Sequence, residues 1–253
     1  MCGIAGGMWF DSQSALDPDV LDRMTDSLIH RGPDDRGTFH SPLQHDAGGL
    51  IPGVALGFRR LSIIDLESGG QPMSNEDRTV WMVFNGEIYN YRDLRRRLDG
   101  TGHHFRTQSD SETIIHLYED LGTDCFELLN GMFALAVWDS RERQLILARD
   151  RVGKKPLFYQ YVDKQLLFGS ELKALAQTSS FRKELSPGAI DQFLTYQYIP
   201  HPGSIFANTK KVPPGHLVVF RQRHETESWT QKYWRRGLSR AAGRPAHRPG
   251  SLA

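Results

Sequence analysis

Cys2 has the clearest capacity for chemistry in this chain, because it stands directly behind the initiator methionine. Removal of Met1 would leave one residue carrying both a thiol and a free α-amine, a nucleophile beside its candidate base. An α-amine titrates near ~8 and a thiol near ~8.5, so neither needs a large shift to act around neutral pH. A cysteine at position two also arises by chance, so the rest of the chain has to decide. Asn85-Gly86 follows the apolar run Val80-Trp81-Met82-Val83-Phe84. That dipeptide between strand-like runs signals a type I′ hairpin turn. An asparagine amide and a glycine N–H are also the donors an oxyanion needs. Arg59 and Arg60 sit side by side in the run from Val54 to Asp65. On a strand they point to opposite faces, so one can be solvated while the other faces a pocket.

Other polar groups have plainer explanations. Ser109-Asp110-Ser111-Glu112 precedes a helical run containing Ile115, Leu117 and Leu121, which makes Ser109 or Asp110 an N-cap with Glu112 as capping-box partner. Arg31-Gly32-Pro33-Asp34 is a turn that stops a helix, and His30 with Arg31 suits that helix's polar end. His103 and His104 are adjacent, a poor spacing for joint ligation, and no Cys, His or carboxylate cluster surrounds them; no metal role is assigned. Cys125, beside Phe126, Leu128 and Leu129, reads as an ordinary buried thiol.

The elements that must position these residues are mostly strands. Cys2 to Met8 opens the chain as a strand, and Asp17-Pro18 then starts a helix carried by Leu21, Met24 and Leu28. Asn90 or Asp93 opens a basic amphipathic helix through Leu94 and Leu98. Met132–Trp138 and Gln144–Ala148 form a hairpin, Leu157–Tyr159 pairs with Gln165–Phe168, and Ser170-Glu171 opens a short helix. A helix over Pro187–Tyr196 and a strand over Gly215–Phe220 close the ordered part. Antiparallel sheets with helices on their faces follow from this pattern.

The 253 residues can bury a real core, and a net charge of +1 argues for no particular partner. Two cysteines cannot build a disulfide framework and fit a reducing compartment, so a cytoplasmic protein is expected. The first residues lack a basic, apolar leader, and no run approaches the ~20 apolar residues of a membrane span. From Arg221 onward eight Lys and Arg stand against two acidic residues, and after Trp234 the apolar period is lost. A solvated, disordered tail is the expectation there, ahead of nucleic-acid binding.

Taken in order, Met1-Cys2-Gly3-Ile4, Arg31-Gly32-Pro33-Asp34, Arg60-Leu61-Ser62-Ile63-Ile64-Asp65, Asn85-Gly86-Glu87-Ile88-Tyr89-Asn90 and Ser109-Asp110-Ser111-Glu112 resemble class II glutamine amidotransferases. More narrowly, the chain resembles the glutaminase domain of glutamine-hydrolysing asparagine synthetases. Gly131-Met132-Phe133-Ala134, Ala148-Arg149-Asp150, Ser170-Glu171-Leu172-Lys173-Ala174-Leu175 and Pro213-Pro214-Gly215-His216 extend the likeness over roughly residues 1–220. Several independent motifs in one order are far more specific than any one of them.

The resemblance implies an α+β fold, the four-layer αββα sandwich of N-terminal-nucleophile hydrolases with two antiparallel sheets. It makes Cys2 the nucleophile toward the side-chain amide of L-glutamine, with Asn85 and Gly86 holding the oxyanion. It makes Arg60 the clamp for the α-carboxylate, Asp110 the acceptor for the α-ammonium, and Leu61, Ser62, Ile63, Ile64 and Glu87 further pocket residues. His30 and Arg31 fall where the family closes its site. No metal or other cofactor is expected in this chain; ATP and Mg belong to the family's synthetase domain. That domain's Ser-Gly-Gly-x-Asp-Ser loop does not occur in the sequence, since Gly48-Gly49 and Gly69-Gly70 lack the serine and aspartate. The expectation is therefore an amidotransferase domain over 1–220, followed by a truncated or frameshifted tail over 221–253. Two alternatives stay open: a class II domain serving another ammonia acceptor, and an inactive glutamine-binding fragment. A homodimer is left open as well.

Overall fold

The computed structural model describes residues 1–61, 70–223 and 226–234. Its elements begin with β1 (Gly3–Trp9), α1 (Pro18–Asp26), β2 (Asp35–Ser41), β3 (Gln44–Asp46), β4 (Gly49–Ile51) and β5 (Gly53–Arg60). There follow β6 (Met73–Ser74), β7 (Val80–Ile88), α2 (Tyr91–Leu98), α3 (Asp110–Leu121) and α4 (Cys125–Leu128). Next come β8 (Gly131–Asp139), β9 (Gln144–Arg149), β10 (Phe158–Val162), β11 (Gln165–Gly169), α5 (Leu172–Leu175) and α6 (Pro187–Tyr196). The described part ends with β12 (Thr209–Lys211), β13 (His216–Gln222) and β14 (Thr226–Lys232).

Two six-stranded sheets are formed, β12-β10-β11-β1-β5-β2 and β14-β13-β9-β8-β7-β6, with every described pairing antiparallel. Three apolar layers show how they stack. Ile4, Met8, Leu56 and Phe58 of the first sheet meet Val83, Ala136, Trp138 and Leu147 of the second. The outer face of the first sheet packs Ala5 and Trp9 on Leu21 and Met24 of α1 and on Leu175 of α5. The outer face of the second packs Phe84, Leu135 and Val137 on Leu94 of α2, Ile114 of α3 and Phe126 of α4. The result is the expected αββα sandwich, because each sheet is apolar on both faces and must be covered twice.

Local chemistry sets many boundaries. Asp17 caps α1 by accepting from the Asp19 N–H at 2.8 Å, with Pro18 in the first turn. Ser109 caps α3 by accepting from the Ser111 N–H. Glu112 does not complete a capping box: its carboxylate accepts from the Arg106 and Thr107 N–H groups, both at 2.7 Å. Two other expectations are corrected. Asn85-Gly86 is no turn; both lie inside β7, opposite Ala134 and Phe133 of β8. The folded part also passes residue 220, since β14 pairs along β13 and Tyr233 is buried. The hairpin signal at Asn85 failed because Glu87 and Ile88 continue the ladder, and pairing with β8 outweighs a local turn preference. The expected tail from residue 235 to 253 lies outside the described residues.

Candidate active site

One cleft lies where the two sheets meet near the chain's beginning. Its wall includes Met1, Cys2, Arg60, Leu61, Asn85, Gly86, Glu87, Asp110 and Lys155. Cys2 reaches it because β1 is held between β5 and β11 in the first sheet. Its Sγ lies 3.4 Å from the Leu61 N–H nitrogen, which donates to it, and 3.7 Å from the Leu61 carbonyl oxygen. Met1 covers the same cleft. Burial, assisted by the positive charges of Arg31 and Lys155, lowers its α-ammonium below the ordinary value, while the charge of Cys2 opposes the shift.

Asn85 and Gly86 enter from β7 of the second sheet. Asn85 is 1% exposed, and its amide Nδ2 has no hydrogen-bond partner among the described residues. A buried donor left unpaired costs roughly 1–3 kcal/mol, so its retention on the wall that Cys2 also lines calls for a functional partner. At Gly86 a Cβ would sit 2.2 Å from the Met132 carbonyl oxygen, so the close approach of β8 admits no side chain there. Arg59 and Arg60 do point to opposite sides. Arg59 pairs with Asp26 of α1, whereas Arg60, 7% exposed, turns into the cleft.

Asp110, 6% exposed, opens α3 and accepts from the Ile88 N–H through Oδ2 at 2.7 Å. Ser109 Oγ lies 3.4 Å from its other oxygen. Burial raises its carboxyl above the ordinary value and the neighbouring Glu87 charge adds to this, against the hydrogen bonds from Ile88, Ser111 and Ser109. A cation arriving beside Asp110 would relieve that burden. Arg60 and Asp110 thus offer one fixed cation and one fixed anion on the wall of a single cleft.

His30 and Arg31 are not among the residues lining the cleft. Arg31 instead donates from Nε to the Cys2 carbonyl oxygen at 3.0 Å and from Nη1 to Glu171 at 2.8 Å. His30 Nε2 lies 3.0 Å from the same Glu171 oxygen. Hydrogen bonds from Arg31 and His30 outweigh the opposing effect of burial and hold the Glu171 carboxyl at about 2. Next to it, Ser170 Oγ accepts from the Ile4 N–H at 3.0 Å. This latch fixes the backbone from the Cys2 carbonyl to the Ile4 N–H. Gly32 explains the turn motif: a Cβ there would sit 2.5 Å from the Arg59 carbonyl carbon, so the turn crosses directly over the backbone of Arg59 and Arg60.

Ser62, Ile63 and Ile64 lie outside the described residues. Two residues on the cleft wall, Gln71 and Lys155, were given no role in the sequence reading. Gln71 lines it while bonding both polar groups of the Phe84 backbone, accepting at 2.6 Å and donating at 3.2 Å. Lys155 reaches it from a loop organised by Asp150, which is fully buried and accepts four backbone N–H groups. Only the charged, Gly- and Pro-containing composition of that loop hinted at such folding.

The sandwich is a fold shared with solved enzyme structures. Solved structures of this fold include "structure of the allosteric regulatory enzyme of purine biosynthesis", with a TM-score of 0.62 at 18% identity, covering 91% of this chain and 49% of that one. The glutamine phosphoribosylpyrophosphate amidotransferase from B. subtilis aligns with a TM-score of 0.59 at 17% identity, with the same coverages. A family model described as glutamine amidotransferase domain matches residues 1–234, and the chain belongs to that family. Curated relatives include asparagine synthetase (glutamine-hydrolyzing) 1 of Bacillus subtilis (strain 168), 40% identical over 87% of this chain and 34% of that protein. Another is asparagine synthetase (glutamine-hydrolyzing) 2 of Arabidopsis thaliana, 38% identical over 75% of this chain and 31% of that protein. The chain spans about a third of the length of these relatives.

Proposed function

We propose that this domain hydrolyses L-glutamine to glutamate and ammonia through a thioester on Cys2. After removal of Met1, the thiol attacks the side-chain amide carbon, and the freed α-amine of Cys2 takes its proton and passes it to the departing ammonia. The tetrahedral oxyanion is held by Asn85 Nδ2 and the Gly86 N–H. Water then hydrolyses the thioester by the same route. Arg60 holds the α-carboxylate with its planar fork and Asp110 the α-ammonium. Leu61 and Glu87 complete the wall, with Ser62, Ile63 and Ile64 as further contacts. Arg31, Glu171 and Ser170 keep Cys2 in place. The thioester cycle calls on no cofactor.

The unpartnered, buried amide of Asn85 on the wall that Cys2 also lines is the observation that carries this reading. Its test is glutamine turnover by processed protein, with hydroxylamine added to trap the acyl group as γ-glutamyl hydroxamate. Hydroxamate formation that disappears in Cys2→Ala is expected. Turnover by protein retaining Met1 in its mass spectrum would exclude the N-terminal-nucleophile route.

The ammonia is destined, in this reading, for asparagine synthesis from aspartate by an ATP- and Mg-dependent synthetase unit. The support is similarity to asparagine synthetases (glutamine-hydrolyzing) at 32–41% identity. Ile190, Phe193, Leu194, Tyr196 and Tyr198, exposed on and just after α6, suit a surface covered by such a unit. Work in the cytoplasm agrees with two unpaired thiols, and no described helix is long and apolar enough to cross a membrane. An asparagine assay with ATP, aspartate and a supplied synthetase unit tests the acceptor; product with a different acceptor only would redirect it.

A further inference from the structure

Beyond the cleft, α3 carries a second group of titratable side chains. His116 and Glu119 lie one turn apart on it, Glu76 comes from the turn between β6 and β7, and His103 from the connection between α2 and α3. One potential ligand atom from each of the four lies within 4.8 Å of the others. His116 Nδ1 is 2.9 Å from Glu119 Oε2 and 3.9 Å from Glu76 Oε2, and His103 Nδ1 is 3.7 Å from the same Glu119 oxygen. A tetrahedral zinc ion with bonds of about 2.0–2.1 Å spaces its ligand atoms about 3.3–3.4 Å apart. The observed separations straddle that value.

Three of the four outward atoms are already engaged. Glu119 Oε1 accepts from Asn75 Nδ2 at 2.7 Å, with Arg141 Nη2 standing 3.9 Å away. Glu76 Oε1 accepts from the His104 N–H at 3.0 Å. His103 Nε2 lies 3.0 Å from Asp120 Oδ1. His116, 2% exposed, has no hydrogen-bond partner for Nε2, which faces Glu112 Oε1 at 3.9 Å. Glu119, Glu76 and His103 are thus oriented from behind, and the carboxylate bonded to His103 is the arrangement that fixes the tautomer of a metal-binding histidine. The two rings stack with centroids 4.4 Å apart, and both Nδ1 atoms lie within 3.7 Å of Glu119 Oε2.

We propose that Glu76, His103, His116 and Glu119 form a structural site for a zinc-class divalent cation. Two imidazoles and two carboxylates suit that class, and four protein ligands leave no open position for catalysis. The ion ties the turn before β7 and the loop before α3 to the helix that begins with Asp110. The sequence reading assigned His103 and His104 no metal role because neighbouring residues cannot converge. His103 instead converges with residues 13 or more positions away, so local spacing carried no signal.

The test is calorimetric titration of zinc chloride into the chelator-treated full chain carrying Cys2→Ala, which removes the cleft thiol as a competing ligand. Saturable one-to-one binding is expected, with a thermal midpoint that climbs with free zinc. Co(II) in its place should give the strong visible absorption of a four-coordinate centre. Because the His116 side chain is buried, the decision rests on Glu76→Gln, which is exposed, and on His103→Gln. Each should weaken zinc binding about tenfold or more. No saturable uptake, or affinity and cobalt spectrum unchanged in both variants, would overturn the proposal.

Discussion

Cys2 and Cys125 are the same residue in opposite surroundings. Cys2 is half-buried on the wall of a polar cleft, with the Leu61 N–H aimed at its sulfur. Cys125 begins α4, is 0% exposed, and packs in the apolar layer between α3, α4 and the second sheet. Burial pushes its thiol well above the ordinary range, and Asp124 adds to the shift. A thiolate survives where donors, positive charge or water can reach it, and neither hydrophobic contact nor residue type supplies that. In the proposed mechanism one sulfur does the chemistry, and the other packs in the core.

Several experiments can break this contrast. Cys2→Ala should abolish glutamine turnover outright, whereas Cys125→Ala should leave kcat within about twofold and lower unfolding free energy by about 1–2 kcal/mol in denaturant melts. Loss of activity in folded Cys125→Ala would erase the distinction. Asn85→Ala should lower kcat by about 10²–10³ with a smaller change in KM, since the proposed mechanism gives its amide to the oxyanion. An unchanged kcat would leave the unpaired amide unexplained. Arg60→Lys and Asp110→Asn should raise KM for glutamine far more than for a simple amide lacking both α-groups; equal effects on the two substrates would remove amino-acid recognition from this pair.

The smallest effect concerns pH. Hydrogen bonds from Arg106 and Thr107, together with His116 facing the carboxylate, outweigh the opposing effect of burial and hold Glu112 at about 2, below its reference of 4.5. Glu171, which anchors Arg31 behind Cys2, is held at about 2 as well. Both folded values lie below the unfolded one. The stability they contribute is therefore present above about pH 4.5 and is lost as pH falls toward 2. Thermal midpoints recorded between pH 6 and 2.5 should fall on this acid limb, and Glu112→Gln should flatten it. An identical acid limb in that variant would show that Glu112 contributes no such linkage.

Much of the fold was legible because its signals are local. Asp17 with Pro18 starts α1, and the hairpin of β8 and β9 closes with Asp139 opposite Gln144. The site was legible as motifs through resemblance, and Arg60 was separable from Arg59 by the two-residue period of a strand. Less accessible were Gln71, Lys155 and the Arg31–Glu171 latch. Arg31 and Glu171 are 140 positions apart, and nothing in either neighbourhood requires the other.

The sequence by itself determined the strand and helix periods, the caps, and a cysteine placed where one cleavage would expose its amine. Only the tertiary structure decided that Asn85-Gly86 continues a strand, that Gly32 crosses the backbone of Arg59 and Arg60, and that His103 meets His116. The reason is physical. Propensity and capping act over a few residues, whereas these contacts depend on which strands pair and how two sheets stack. That stacking brings the thiol of the first sheet and the unpaired amide of the second to one cleft.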